Sequence, residues 1–240
     1  MDSKTAAPLV TALSIAAATA VGMYCGVASA AAEPDVRPLL NAAPSISFVY
    51  YRSAGMFLQT PTGVAGPGLI TAMTKSGQLP PGAEMERAFN IPEPSSEIAG
   101  ALTQRIKAAS GNAKWHIEDH PHARTWDKKP DAYKGEITDP YVLELNVDGR
   151  GASYMPFNWK TYYYGLSARL RLIDVSQSKV VWEHHCNQSG LHGSTYKLKV
   201  DEFEANGGAR LKEVEHAAND FCASELSSLL FAKGDLLVAK

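Results

Sequence analysis

Three histidines lie close together in one polar stretch of the chain and could meet a metal ion. They are His116, His120 and His122, with Glu118 and Asp119 between them. Imidazole nitrogens and carboxylate oxygens are ligands that zinc accepts. The spacing matches no established zinc motif, and solvated histidines in a polar loop are the alternative. We keep a metal-binding protein, or a metal-dependent enzyme using these histidines, as one hypothesis.

No recognised catalytic or phosphate-binding motif is present in the sequence. The patterns G-x-S-x-G, G-x-x-x-x-G-K-S/T and H-E-x-x-H are absent, and no G-x-G-x-x-G follows a predicted strand. We therefore predict a non-enzymatic protein with no catalytic residues and no cofactor. A small-molecule binder with a pocket between sheet and helices is a further alternative.

Aromatic residues cluster beside a predicted turn. Tyr154, Phe157 and Trp159 stand directly before the tyrosine run 162–164. Large aromatic side chains dominate the energetics of many protein contact sites. These three residues are therefore candidates for protein contact. The alternative is that Phe157 and Trp159 fill the end of the core.

The N-terminal residues have the features of a secretory signal peptide. Lys4 precedes an apolar stretch at 8–27, and Ala28-Ser29-Ala30 matches an A-x-A cleavage site. We predict a signal peptide at 1–30, a flexible lead-in at 31–44 and a single domain at 45–240, exported to the periplasm. An uncleaved anchor and lipidation of Cys25 are alternatives. Membrane contact is expected only in those cases, and association with the outer membrane is an alternative to free periplasmic residence.

Two cysteines remain after the predicted cleavage, which favours a disulfide in an oxidising compartment. Cys186 shares its strand parity with Val180 and Trp182, while Cys222 lies beside Phe221 on the apolar stripe of a predicted helix. Both thiols therefore face the same layer between sheet and helix. We predict a Cys186–Cys222 bond, with two buried free cysteines as the alternative.

A β-hairpin over 159–186 is the clearest structural prediction. Even positions from 162 to 172 are apolar and most odd positions are polar, a period of two that is typical of a half-buried strand. A turn-forming stretch at 174–178 leads to a second strand beginning at Lys179. Further strands are predicted at 46–53, 114–117 and 141–147, the last closed by a turn at 148–151, with a glycine- and proline-rich loop at 55–68.

Amphipathic helices complete the predicted domain. One is capped by Ser95 or Ser96 and ends before Gly111, and a long one with apolar residues at spacings of three and four covers 211–230. Helices and antiparallel strands are partly segregated along the chain. We predict an α+β fold with a mainly antiparallel sheet covered by amphipathic helices on one face.

Composition is that of an ordinary globular protein. The 240 residues are 45% hydrophobic and 20% charged, with a formal net charge of -2. Lysine and arginine are scattered rather than clustered, so nucleic acid is not an expected partner.

The hairpin region also carries a resemblance. The segments 154–159 (YMPFNW), 166–174 (LSARLRLID) and 179–182 (KVVW) resemble poorly characterised proteobacterial envelope proteins and lipoproteins. The hairpin is similar to small α+β envelope modules such as the amino-terminal domain of the Tol-system propeller protein and the lipoprotein activators of peptidoglycan synthases. The resemblance covers about a quarter of the chain and concerns fold more than function. It implies a non-enzymatic accessory or protein-binding role with an envelope protein as partner.

Overall fold

The computed structural model describes residues 35–53, 55–59, 82–110, 117–122, 129–155, 158–189 and 195–231. The predicted signal peptide, with Cys25, lies outside these residues. Within them the helices are α1 (Arg37–Ala42), α2 (Gly82–Phe89), α3 (Pro94–Ser110), α4 (Val200–Glu204) and α5 (Ala209–Leu230), and a 3-10 turn covers Pro130–Tyr133. None of the described helices is long and apolar enough to cross a membrane.

The described strands form one mixed sheet. They are β1 (Ile46–Tyr51), β2 (Phe57–Gln59), β3 (Ile117–His122), β4 (Tyr141–Met155), β5 (Asn158–Asp174), β6 (Lys179–Gln188) and β7 (Lys197–Lys199). The order is β3-β1-β4-β5-β6, with β2 also beside β4 and β7 also beside β5. The α+β fold class is confirmed. The long strands β4, β5 and β6 are antiparallel, whereas β1 pairs in parallel with β3 and β4. Parallel neighbours need a long crossover connection, and the chain segment that contains α2 and α3 provides it.

The two faces of the sheet are covered differently. Helices α3 and α5 cover one face, where Ile98, Leu102, Leu211 and Leu226 are fully buried in the main core. The opposite face, which we call the polar face, has a smaller apolar cluster under the 3-10 turn: Val49, Tyr51, Tyr133, Val142, Ile173 and Val175. This second cluster explains why every residue of β1 is buried rather than every other one.

The predicted hairpin is confirmed as β5 and β6. Leu166, Leu170 and Leu172 are at most 2% exposed on the helix-covered face, and Ala168 pairs with Cys186 across the strands. The turn between the strands is stabilised by the Asp174 carboxylate, which accepts hydrogen bonds from the Ser176 hydroxyl and the Gln177 backbone N–H. The period of two therefore identified the buried face correctly.

The turn predicted at 148–151 is wrong, because β4 continues through it to Met155. The pairing between β4 and β5 shifts between Val147 and Gly149, which marks a β-bulge. Val147 lies opposite Ala168, and after the bulge Arg150 lies opposite Leu166. The extra residue reverses the parity of the strand, so that Arg150 faces the helices.

The disulfide prediction is confirmed. Cys186 and Cys222 are bonded, with their Cα atoms 5.4 Å apart, and the bond ties α5 to β6. Phe221, however, is not part of the buried stripe and is 44% exposed. Adjacent helical residues point about 100° apart, so Phe221 lies off the face that Cys222 and Leu226 occupy.

Helix α3 has the predicted length but a different cap. The Glu93 carboxylate accepts a hydrogen bond from the Ser96 backbone N–H at 3.1 Å and another from the Ser53 backbone N–H at 2.8 Å. Ser95 is fully buried instead, and Pro94 occupies the first helical position, where no backbone N–H is required. The acidic side chain that precedes the predicted caps therefore starts the helix.

Two other expectations differ from the structure. The predicted lead-in contains α1, because Val36 and Leu40 are buried in the main core and supply packing that its composition did not indicate. Of the strand predicted at 114–117 only Ile117 is among the described residues; it begins β3, which continues to His122 and pairs in parallel with β1. Tertiary pairing rather than local alternation determines this edge strand.

Candidate binding groove

A groove of about 510 Å³ lies on the sheet beside the end of β6, over the second half of β4 and the middle of β5. Its described lining comes mainly from β2, β4, β5 and the end of β6: Phe57, Gly149, Arg150, Gly151, Ser153, Tyr154, Tyr163, Gly165, Leu166, Ser167, Asn187, Gln188 and Ser189. Ligand sites commonly have volumes of about 300–1,000 Å³. The size therefore suits a small ligand or a short piece of another chain.

Glycines form the floor of the groove. Gly151 pairs directly with Gly165 across β4 and β5, and Gly149 pairs with Ser167. A Cβ atom added to Gly151 would lie 2.0 Å from the Phe57 backbone oxygen, so only glycine allows β2 to approach there. A Cβ atom added to Gly149 would meet nothing within 4 Å. Open space, rather than another part of the described protein, lies above this position.

Aromatic side chains border the glycine floor. Phe57 is 63% exposed, the largest value among the described large apolar residues, while Tyr163 is 8% exposed. The Lys197 ammonium nitrogen lies 5.5 Å from the centre of the Tyr163 ring, within reach of a cation–π attraction. The exposed phenylalanine and the tyrosine give the groove an apolar character.

Two of the predicted contact residues, Tyr154 and Trp159, belong to the connected ends of β4 and β5. Tyr154 lines the groove and is half-buried at its position opposite Tyr162. Trp159 belongs to β5, but its side chain lies outside the described part of the chain, as does Phe157 altogether. Tyr154 also packs against the main core, and the role of the three residues in contact stays a prediction.

A buried ion triad lies behind the groove, on the helix-covered face. The Arg150 guanidinium donates to the Glu215 carboxylate of α5, and its other terminal nitrogen lies 2.5 Å from a Glu86 oxygen of α2. That Glu86 oxygen also accepts the backbone N–H of Met56 at 2.5 Å. Arg150 and Glu215 side chains are 4% and 0% exposed. Strand β4 and helices α2 and α5 are thus linked through these side chains to Met56, the residue before Phe57.

The triad has one positive group between two carboxylates. Burial raises the pKa of Glu215 to about 7, against the opposing attraction of Arg150, and the Glu86 charge raises it further. Burial also holds the pKa of the adjacent Tyr164 hydroxyl well above its ordinary value, with the Glu215 charge acting in the same direction. Protonation of one carboxylate makes the triad neutral, which a poorly solvated site favours.

A second charged network occupies the polar face, away from the groove. The Arg171 guanidinium binds both oxygens of Glu144, at 2.6 and 3.0 Å, and the Tyr133 hydroxyl donates to the same carboxylate. Burial raises the pKa of Tyr133 strongly, and the Glu144 charge adds to it. Glu144 is 1% exposed, so its buried charge is compensated by these charge-assisted hydrogen bonds.

The predicted histidine site lies largely outside the described residues. His116 is beyond them, and His120 and His122 belong to β3 without a described side chain. Among the described residues no group of three or more potential ligands could hold a metal ion. The structure therefore does not test metal binding at these histidines.

His184 and His185 point to opposite faces, as alternation predicts. The His184 ring lies 5.0 Å from that of Trp182, whereas His185 Nε2 lies 3.1 Å from a Glu183 oxygen on the polar face. Cys186 is used in the disulfide. These three neighbours do not form a shared ligand set.

The groove itself was not predicted from the sequence. Its outer wall, Phe57, lies in the stretch 55–68 that was predicted as loop, and β2 has only three residues. Gly149 and Gly151 belonged to the predicted turn. A strand containing two glycines one residue apart is the signal that could have indicated a close backbone approach.

Comparisons with known proteins give no family. No family model matches the chain, and no curated protein matches it. Among solved structures, a PelC dodecamer from Paraburkholderia phytofirmans is 13% identical with a TM-score of 0.36, covering 85% of this chain and 95% of that one.

Two further solved structures have similar scores. A DUF330 protein from Xanthomonas campestris is 11% identical with a TM-score of 0.40, covering 78% of this chain and 82% of that one. A lipoprotein from Neisseria meningitidis is 15% identical with a TM-score of 0.28, covering 74% and 96%. These neighbours come from proteobacteria and include a lipoprotein, but likeness at this level assigns neither family nor function. The similarity to the Tol-system module is not confirmed.

Proposed function

We propose that this protein is a non-enzymatic accessory module of the cell envelope that binds another protein through the groove. The observation that carries the proposal is the exposed Phe57 beside a glycine floor, an apolar surface open to solvent within the described residues. Exposed apolar surface next to aromatic side chains is typical of protein contact sites. The predicted contact residue Tyr154 lines the same groove.

Periplasmic residence is part of the proposal. The A-x-A signal at 28–30 indicates export, and the Cys186–Cys222 bond suits an oxidising compartment. We expect an envelope protein as the partner. A small ligand in the groove is the second candidate, because its volume of about 510 Å³ also fits that class.

Site-specific photo-crosslinking in the native envelope tests protein binding. We expect p-benzoylphenylalanine in place of Phe57 to give a discrete protein adduct, and the same replacement of Phe221, exposed on α5, to give none. Gly165→Leu fills the groove, since a Cβ there meets only the Gln188 backbone oxygen at 3.5 Å, and should remove the adduct. Adducts that persist in Gly165→Leu would contradict the assignment.

A further inference from the structure

We propose that the groove selects an extended polypeptide segment that carries a carboxylate next to an apolar side chain. The inference rests on the proposed function and adds the charge of the partner to it. Three features carry it: a lining without acidic side chains, an exposed lysine at the edge, and a floor that accepts an apolar group.

The described lining of the groove contains no aspartate or glutamate. Its one charged member, Arg150, is engaged by Glu86 and Glu215 on the other face of the sheet. Asp148, next to Gly149 in the chain, is bound by the Asn146 amide at 2.5 Å. A carboxylate entering the groove therefore meets no acidic side chain of the described lining.

Lys197 supplies the positive charge at the edge. It is exposed, it lies over the Tyr163 ring, and it has no ion-pair partner among the described residues. Leu198 is buried between Lys197 and Lys199, so both lysines of β7 point away from the core on one side. Two lysines match one or two carboxylates, whereas a polyanion needs a larger basic surface.

The floor and walls fit an apolar side chain and an extended backbone. Gly149, above which nothing lies within 4 Å, and Gly165 leave room for a side chain in the part of the groove lined by Phe57 and Tyr163. Ser153, Ser167 and Asn187 also line the groove and offer neutral hydrogen-bonding groups. Extended peptides are commonly held in this way, with backbone hydrogen bonds for affinity and pockets for alternate side chains.

A displayed library of random peptides selected on the purified protein tests the inference. We expect wild-type protein to enrich peptides in which aspartate or glutamate stands within two positions of an aromatic or aliphatic residue. For one enriched peptide, made synthetically with a fluorescent label, Lys197→Glu should weaken binding about tenfold or more, since it places like charges together. Lys179→Glu is the matched control: this exposed lysine lies at the far end of β6, and the change should leave affinity within twofold.

The outcomes separate the inference from the proposed function. Binding that is lost in Gly165→Leu but shows neither acidic enrichment nor a Lys197→Glu effect would overturn the charge preference and leave protein binding in place. Enriched peptides that bind Gly165→Leu as well as wild type would overturn both. Acidic peptides lost in both variants, with Lys179→Glu unaffected, are the result expected.

Discussion

Glu215→Gln should make the protein relatively more stable as the pH rises from 4.5 to 8. In the folded protein Glu215 is fully buried and faces Arg150 of β4, Tyr164 of β5 and Glu86 of α2. Burial raises its pKa from the ordinary value of 4.5 to about 7. Glutamine keeps an oxygen that accepts from Arg150 but cannot ionise, so it removes the net cost of the charge, which is the cost of burial less the attraction of Arg150.

The sign and size follow from proton linkage. A carboxyl group with a raised folded-state pKa holds its proton more tightly when folded, so its ionisation opposes folding. Stability from this group is intact below about pH 4.5, falls between about 4.5 and 7, and stays reduced above 7. A difference of about 2.5 pKa units corresponds to about 3 kcal/mol. The free energy of unfolding of Glu215→Gln minus that of wild type should therefore rise by about that amount across this range.

Urea denaturation at pH 4.5, 6 and 8, followed by tryptophan fluorescence with the disulfide intact, measures the difference directly. The pKa of His216 is also shifted, because its hydrogen bond to Glu97 raises it above the ordinary value. Its contribution likewise falls as the pH rises, but it is common to both proteins and cancels. Glu213→Gln, which changes an exposed glutamate on the same helix, is the matched control variant. Parallel curves for wild type and Glu215→Gln would refute a buried carboxyl that is costly to ionise.

Three other predictions concern stability and use the same denaturation assay. A Cβ added at Gly100, on the exposed side of α3, meets nothing within 4 Å, so Gly100→Ala should stabilise the protein by about 0.5–1 kcal/mol. Gly208 has φ +72°, and a Cβ there would lie 2.9 Å from an aromatic ring, so Gly208→Ala should destabilise the protein. Equal effects of the two substitutions would contradict the backbone argument. Cys222→Ser should cost about 4 kcal/mol, because the bond closes a separation of 36 residues, and reducing agent should then have no further effect. Arg171→Met leaves the carboxylate of Glu144 buried without its bidentate partner and should cost about 3–5 kcal/mol at neutral pH; a loss below 1 kcal/mol would contradict the pairing.

The sequence predicted those elements whose pattern repeats over many residues. The alternation from 162 to 172 identified β5 and its buried face, and the helical spacing from 211 to 230 identified α5. Together they placed Cys186 and Cys222 in one layer, and the disulfide followed. Such patterns are readable because burial of one face sets the period over a whole element.

The remaining features depend on single residues and on distant partners. An Asp-Gly pair at 148–149 has the composition of a turn, and only the pairing with β5 shows that it is a bulge within a strand. The partner carboxylates of Arg150 come from α2 and α5, far away in sequence. Neither feature has a local period, so the triad and the groove could not be predicted from the chain alone.

The same strand connects the buried charges with the groove. Backbone pairing of β4 and β5 brings Gly151 opposite Gly165 in the floor, while the neighbouring Arg150 side chain reaches Glu86 behind the sheet. Glu86 in turn binds the backbone N–H of Met56, the residue before Phe57. Floor and outer wall are thus joined through one carboxylate. An apolar replacement of a buried charged triad is often more stable than the triad itself, so the core could tolerate the loss of Glu86. That loss would still disturb the position of Phe57, because Glu86 binds the backbone of the residue before it.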